Sequence, residues 1–398
     1  MVKRPAYFNL IGCKGRPLFS RSVSLLYKHL FMYLQSLHLL NFNNYADQKA
    51  EFGPGVNCLA GPNGSGKTNL LDALYFLALT KSAFSKTDPQ SMKHSEPFFS
   101  VKGTFIQDNE PLTVQCSMKA GEKKQLQLNR IPYTRFSDHI GRFPVVLVTP
   151  DDTALIREGG EERRRFFDGV LSQINHSYLE NLLRYNNILQ QRNSILRSYA
   201  ESRRIDLTLL DTYDERISLH GDFLHNARAE FAEVFTPLFN NYYRQIAEDK
   251  ETMHMVYQSQ VSAMPMRELL KQARQTDLLA GRSSAGIHRD DFIFNMGSHA
   301  LKKFGSQGQQ KCFVLALKLA QYDAMVSAGL SRPVLLLDDV FDKLDDARIQ
   351  ALLSLLRSGK FGQVFITDAR PERSMSLLKD DAGTRFFFVE NGEITAAE

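Results

Sequence analysis

Apolar and polar residues alternate from Tyr33 to Phe42 (YLQSLHLLNF) as far as the polar turn Asn43-Asn44, which predicts a strand. Val56-Asn57-Cys58-Leu59-Ala60 is a short, largely apolar run leading straight into a glycine-rich loop. From Lys67 the stretch TNLLDALYFLALT repeats apolar residues at helical spacing with no breaker, so the local order is strand, loop, helix. Residues 99 to 130 read as a meander, because FFSVKGTFI and PLTVQCSMK alternate while Asp108-Asn109-Glu110 and Ala120-Gly121-Glu122 supply turns. Val145 to Val148 is a buried strand closed by Thr149-Pro150.

After Pro150 the pattern changes. Residues 155 to 250 are charged, rich in Gln and Asn, and helical in period, with no proline before Pro237. A break near Arg203 to Asp206 predicts two helices packed as an arm, without the sustained heptads of a long coiled coil. Strand signals return at His254 to Gln258 and Phe292 to Asn295. A helix then runs from about Gly308 to Ser327, followed by a buried strand Val334 to Leu337, a helix Ala347 to Arg357 and a buried strand Gln363 to Ile366. Alternating strands and helices imply a parallel sheet. The expected architecture is α/β: a head built from residues 32–150 and 286–398, with a mostly helical arm, residues 151–285, inserted between them.

With 398 residues the chain is long enough for a large core and two or three domains. Cys13, Cys58, Cys116 and Cys312 are scattered among apolar neighbours, as reduced and mostly buried thiols of a cytosolic protein would be. Apolar runs such as Leu74 to Leu79 fall far short of the roughly 18 residues a membrane span needs, so a soluble, cytoplasmic protein without membrane partners is expected. The net charge of +5 is uneven: residues 1–31 carry Lys3, Arg4, Lys14, Arg16, Arg21 and Lys28 and no acid, leaving 43 basic against 44 acidic residues. A nucleic-acid surface on the folded body must therefore be argued locally. The acid-free leader resembles an organellar presequence in composition; alternatively it is a non-native or disordered extension upstream of a true start at Met32, where the strand pattern begins at once.

Gly61-Pro62-Asn63-Gly64-Ser65-Gly66-Lys67-Thr68 fits G-x-x-x-x-G-K-[ST] with a strand before it and a helix after it. Backbone N–H groups of such a loop cradle the phosphates of ATP, Lys67 reaches the β/γ oxygens, and the Thr68 hydroxyl binds Mg2+. Leu335-Leu336-Leu337-Asp338-Asp339 is the matching Walker B strand end. There Asp338 would hold the metal through water, and Asp339 would either polarise the attacking water or merely cap the strand. Gly305-Ser306-Gln307-Gly308-Gln309-Gln310 reads as a variant of the LSGGQ signature of ABC ATPases, and Asp342-Lys343-Leu344-Asp345 resembles their D-loop. A serine-glycine turn opening a helix suits anions, so Ser306 and Gly308 are candidates for a γ-phosphate, which in ABC ATPases belongs to the facing subunit; a plain N-cap at Ser306 is the alternative.

These motifs, with Met32-Tyr33-Leu34, Leu39 to Tyr45, Thr149-Pro150-Asp151-Asp152, Glu161 to Asp168 and Gly286 to Phe292, make the sequence similar to the RecF family of DNA replication and repair proteins, ABC-type ATPases related to SMC heads. The similarity runs from Met32 nearly to the C-terminus. It implies nucleotide contacts from Gly61 through Asn69 and from Ser306, Gly308 and Gln309, catalytic roles for Lys67 and Asp339, and Mg2+ at Thr68 and Asp338. It also implies an ATP-dependent homodimer on gapped or junction DNA, double-stranded and single/double-stranded, cooperation with RecR and RecO, and help in loading RecA. Three departures from ABC ATPases stand out: Thr149 to Asp152 where a glutamine loop would be, Thr367-Asp368 where a switch histidine would be, and Asp339 in place of glutamate. The shorter Asp339 predicts slow hydrolysis.

Between Leu155 and Arg204 there are nine arginines, no lysine and six acids. Arg163-Arg164-Arg165 are candidates for contacts with the DNA backbone, whereas the adjacent Glu158, Glu161 and Glu162 would make them an intramolecular ion-pair cluster. His288-Arg289-Asp290-Asp291 lacks the V-A-I-K and D-F-G partners of a kinase catalytic loop and is expected to tie arm to head through ion pairs, with a DNA- or ATP-sensing role as the alternative. An energising subunit of an ABC transporter shares the motifs, but the 277-residue gap from Gly61 to Asp338 and the arginine-rich arm count against it. A small-molecule kinase would have no use for signature and D-loop, and for a full SMC-type tether the arm is too short.

Overall fold

Four-residue strands that are apolar on both faces need cover on both sides, and the chain provides it. Six strands form one sheet in the spatial order Glu393–Ala396, Arg385–Glu390, Val56–Ala60, Val364–Asp368, Val334–Leu337 and Val145–Val148. All neighbours run parallel except the terminal Arg385–Glu390 and Glu393–Ala396 hairpin. The computed structural model describes residues 31–202, 206–247, 252–378 and 383–396, so all but Phe31 of the expected N-terminal extension lies outside the described residues.

The expected meander is a second, antiparallel sheet in the order Tyr45–Glu51, Met32–Phe42, Phe98–Gln107, Glu110–Lys119, Gln125–Leu128 and Ile131–Pro132. Helix Lys67–Leu79 lies against strands of both sheets. This explains why the helix lacks a polar face: Leu70, Leu71, Ala73, Leu74, Phe76, Leu77 and Ala78 are all buried. Phe42, Phe76 and Phe99 meet edge to face with centroids 5.6–5.8 Å apart, joining the helix to the antiparallel sheet. Each large side chain buried there contributes roughly 1.5–3 kcal/mol.

The chain forms two compact units. Of the described residues, the first takes 154–202, 206–240 and 252–305; the second takes 31–153, 241–247, 306–378 and 383–396. The second unit differs from the expected head at two places: it also takes residues 241–247, expected in the arm, and it resumes at Ser306, not at residue 286. The reason is pairing: Asp291–Met296 bonds along its length to Met253–Gln258 and then to His299–Ala300, a small antiparallel sheet that keeps residues 286–305 with the arm.

The arm unit is also richer than two helices. Helices Gly160–Ile174 and His176–Ser202 are separated only at Asn175, whose Oδ1 accepts the Tyr178 amide at 3.1 Å. Helix Leu207–Ala247 starts with Asp206 Oδ1 accepting the Leu209 amide at 3.0 Å, and Met266–Ala280 follows. The 41-residue helix passes through Pro237 without ending. No helix among the described residues is long and apolar enough to cross a membrane. Cys58, Cys116 and Cys312 are buried free thiols, pushed up by burial to about 12, 12 and 11, whereas Cys13 lies outside the described residues.

Candidate functional site

Strands Val56–Ala60 and Val334–Leu337 flank Val364–Asp368 in parallel, so their C-terminal ends emerge at one edge of the sheet, where open α/β sheets bind ligands. The glycine loop leaves the first and Asp338 the second. As a result Thr68 Oγ1, in the first turn of its helix, donates to the Asp338 carboxylate with oxygens 3.0 and 3.1 Å away. Lys67 is 4% exposed and donates to Gly61 O at 2.8 Å and Pro62 O at 2.9 Å. Sequence motifs 270 residues apart thus converge on one site.

The loop has almost no freedom to change. A Cβ on Gly61 would come 2.1 Å from Val389 O, and Gly66, at φ +121°, lies against Asn44 and Tyr45. Asn44 Nδ2 donates to Ser65 O at 2.9 Å, Tyr45 OH to Gly66 O at 2.9 Å, and the Gly392 amide to Ser65 O at 3.0 Å. Asn69, a sequence candidate for nucleotide contact, instead donates to Asn44 Oδ1 at 2.8 Å and so braces the brace. The carbonyls of Ser65 and Gly66 are thus held by Asn44, Tyr45 and Gly392. Ser65 Oγ is buried and has no hydrogen-bond partner among the described residues, an orphan that a phosphate oxygen would satisfy. The loop therefore fits a nucleotide.

Burial pushes the Asp338 carboxyl up; hydrogen bonds from Thr367 and Thr68 oppose this, and the charge of Asp339 reinforces it. Two hard oxygen donors, Thr68 and Asp338, within 3.1 Å of each other suit Mg2+. Asp339 sits in the left-handed region at φ 45°, where Asp and Asn are the most tolerated non-glycine residues, and its amide donates to Thr367 Oγ1 at 2.8 Å. A cavity of about 50 Å³, lined by Thr149, Pro150, Lys311, Leu344 and both aspartates, has room for water beside them. At the glutamine-loop position the Thr149 amide donates to Asp152 Oδ2 at 2.6 Å, and Asp152 pairs with Lys318 at 2.6 Å.

Helix Gln307–Ser327, which carries the signature, is anchored over the far edge of the sheet, with Lys318 Nζ donating to Leu147 O at 2.7 Å. That edge strand is three strand spacings, roughly 14 Å, from the strand that feeds the glycine loop. Ser306 is exposed, and its hydrogen bonds are local: a capping box in which Ser306 Oγ accepts the Gln309 amide at 3.2 Å and the Ser306 amide donates to Gln309 Oε1 at 2.5 Å. Asp345 caps helix Asp346–Arg357 and pairs with Arg348 at 2.9 Å; the Arg348 guanidinium lies 2.7 Å from where a Cβ on Gly308 would stand.

The arginine run faces inward more than outward. Arg163 grips Asp291 with two bonds of 2.7 and 2.9 Å, and Arg164 donates to Asp290 O at 2.6 Å. The partners of these two are Asp290 and Asp291 and not the expected adjacent glutamates, whereas Arg165, 60% exposed, pairs with Glu161 and Glu162. The side-chain hydrogen bonds of His288 to Asp291 among the described residues likewise lie within the arm unit, where an ion-pair tie to the head was expected. Fully buried Arg228 takes Asp168 at 2.9 Å and Asp290 at 2.8 Å, and Tyr185 OH hydrogen-bonds His288 Nδ1 at 2.9 Å. Burial would raise the Asp291 carboxyl, but Arg163 and Arg164 hold it below its usual range.

Because the loop, the Walker B end and the capped signature helix all sit on one sheet built from both chain ends, the head is an ABC-type P-loop ATPase head carrying an inserted helical arm. The family model "RecF/RecN/SMC N terminal domain" matches residues 33–395. DNA replication and repair protein RecF of Cytophaga hutchinsonii is 41% identical over 364 residues, covering 91% of this chain and 96% of that protein. RecF of Phocaeicola vulgatus is 41% identical over 367 residues, covering 92% and 98%. The chain belongs to the RecF family. A solved structure described as the recombination mediator protein RecF with ATP in the RecFOR pathway has a TM-score of 0.84 and 28% identity, covering 94% of this chain and all of that one. An Smc head from Pyrococcus furiosus bound to part of ScpA shares the fold alone, with a TM-score of 0.54 and 14% identity over 92% and 96% of the two chains.

Proposed function

We propose that this chain is an ATP-dependent, DNA-binding clasp of recombinational repair and replication, whose nucleotide site is completed by a second copy. The observation that carries this is the separation within one head: Thr68 and Asp338 meet, whereas the signature helix is anchored three strand spacings away with Ser306 exposed. Backbone groups of Gly61 to Gly66 and the side chains of Ser65 and Lys67 would hold the phosphates of one ATP, and Ser306, Gly308 and Gln309 of the other copy would close on it. Mg2+ held by Thr68 and Asp338 would neutralise phosphate charge. Asp339, beside the small cavity, orients water; its short side chain on a left-handed backbone makes the ATPase weak, and hydrolysis times release.

Membership of the RecF family and the relative placed in the RecFOR pathway support DNA as the partner, with RecO and RecR as co-workers; help in loading RecA, in the cytoplasm, completes the proposal. The test is molar mass by light scattering. A monomer alone, a dimer with ATP and Mg2+, and a further shift with gapped DNA are expected; a mass unchanged by ATP sinks the clasp.

A further inference from the structure

Where ABC ATPases have a switch histidine this chain has Thr367-Asp368, and the structure gives each residue a job. Thr367 is fully buried; its hydroxyl donates to Asp338 Oδ1 at 2.8 Å and accepts the Asp339 amide at 2.8 Å, which ties it to Walker B. Asp368 points elsewhere. Its carbonyl accepts the amide of Gly61, the first residue of the glycine loop, at 3.2 Å, and its carboxylate accepts from the Arg370 amide, from Ser374 Oγ and from Arg373 Nε at 3.1 Å.

Arg373 is shared. The same guanidinium that holds Asp368 reaches Asp342 Oδ1 at 2.7 Å, at the start of the D-loop, and lies 5.8 Å over the ring of Phe341. Arg373 is 22% exposed and Asp342 28%, so this is a partly buried, charge-assisted contact and not a surface ornament. Three contacts among four residues, Gly61, Asp368, Arg373 and Asp342, thus connect the loop that would grip phosphate with the segment that would face the second copy.

We propose that Arg373 is a positioning residue that couples the glycine loop to the D-loop, standing in for the missing histidine by an ion-pair relay. It touches no atom expected to contact ATP, so it acts through Asp368 and Asp342. The inference rests on the composite-site reading only in taking the D-loop as the element turned toward a second copy.

The test is hydrogen exchange of the segment 338–346, with and without ATP and Mg2+, in the full chain and in Arg373→Met, Arg373→Lys, Asp342→Asn and the Met/Asn double variant, alongside ATP affinity and hydrolysis. In the parent, ATP slows exchange in 338–346. Arg373→Met keeps ATP affinity within about twofold but loses that protection and about tenfold in turnover; Arg373→Lys recovers part of both, and Asp342→Asn matches Arg373→Met. The double variant is no worse than either single one, because one link cannot be cut twice. ATP-induced protection that survives Arg373→Met, or losses that add in the double variant, would overturn the relay. Should Arg373→Met not fold, Asp342→Asn, which leaves the Asp368 clamp intact, decides alone. A parent that stays monomeric with ATP while its D-loop protection still depends on Arg373 would refute the composite site and leave the relay standing.

Discussion

Asp339 shows how a single side chain is constrained by its backbone. At φ 45° an Asp or Asn is tolerated where most residues are strained, so Asp339→Asn removes the charge while keeping shape and backbone. ATP affinity should therefore change little, while hydrolysis should fall by roughly 100-fold, a loss typical of a general base, and single-turnover kinetics will show it; retained turnover would mean that Asp339 only closes the strand. His139 poses a different constraint. It is fully buried, its Nε2–H donates to Leu77 O at 2.7 Å, and its Nδ1 has no partner among the described residues. Burial lowers it from 6.5 to about 4. The unfolded chain then binds the proton first as pH falls, so stability is intact above about 6.5 and drains away toward 4, by at most on the order of 3 kcal/mol. His139→Gln, which keeps a donor for Leu77, should show a shallower fall of the thermal midpoint between those pH values than the parent.

Elements whose signal is local were legible, and those that depend on distant charges were not. Val334–Leu337 and Val145–Val148 read as buried strands because nothing but apolar residues fits between two covering layers. The terminal hairpin, absent from the expected elements, has a strong local signal: FFFVE, then Asn391-Gly392 with both φ positive (48° and 79°), then EIT. It matters because Val389 and Gly392 wall the glycine loop. The arm misled for another reason. A run of three arginines looks like a phosphate surface until Asp290 and Asp291, more than 120 residues away, are folded against it. Arg184 and Arg216 are better candidates: both are exposed, no ion pair engages them among the described residues, and together they lower the pKa of His220, after its burial, from helices His176–Ser202 and Leu207–Ala247. Replacing either by Ala is expected to weaken DNA binding regardless of sequence and to lower the salt slope of log K by about one. Arg163→Ala should leave that slope unchanged and instead lower the melting temperature of the arm, since it strands Asp291.

On the scale of the whole molecule the question is whether ATP fuels motion within one chain or clasps two. The motifs alone permit either, since a P-loop, a Walker B strand and a signature coexist in every head of this type. Geometry separates them. Ser306 spends its hydrogen bonds on its own helix and is exposed, and its helix is anchored away from the strand that feeds the glycine loop. A bulky cation placed there, Ser306→Arg, should leave ATP affinity at the parent's value, because no described contact of Ser306 reaches that loop, yet abolish the ATP-dependent doubling of mass. Loss of the N-cap alone costs about 1 kcal/mol. Ser306→Ala suffers the same loss without the bulk, so it should still dimerise, more weakly, and the difference between the two variants isolates steric blockage of a facing surface. Lys67→Ala provides the converse, failing to bind ATP and hence to dimerise, since its ammonium is the only side-chain cation buried in the loop among the described residues. If Ser306→Arg dimerised with ATP as the parent does, the second copy would have to close on some other surface, and the nucleotide would act within the single chain after all.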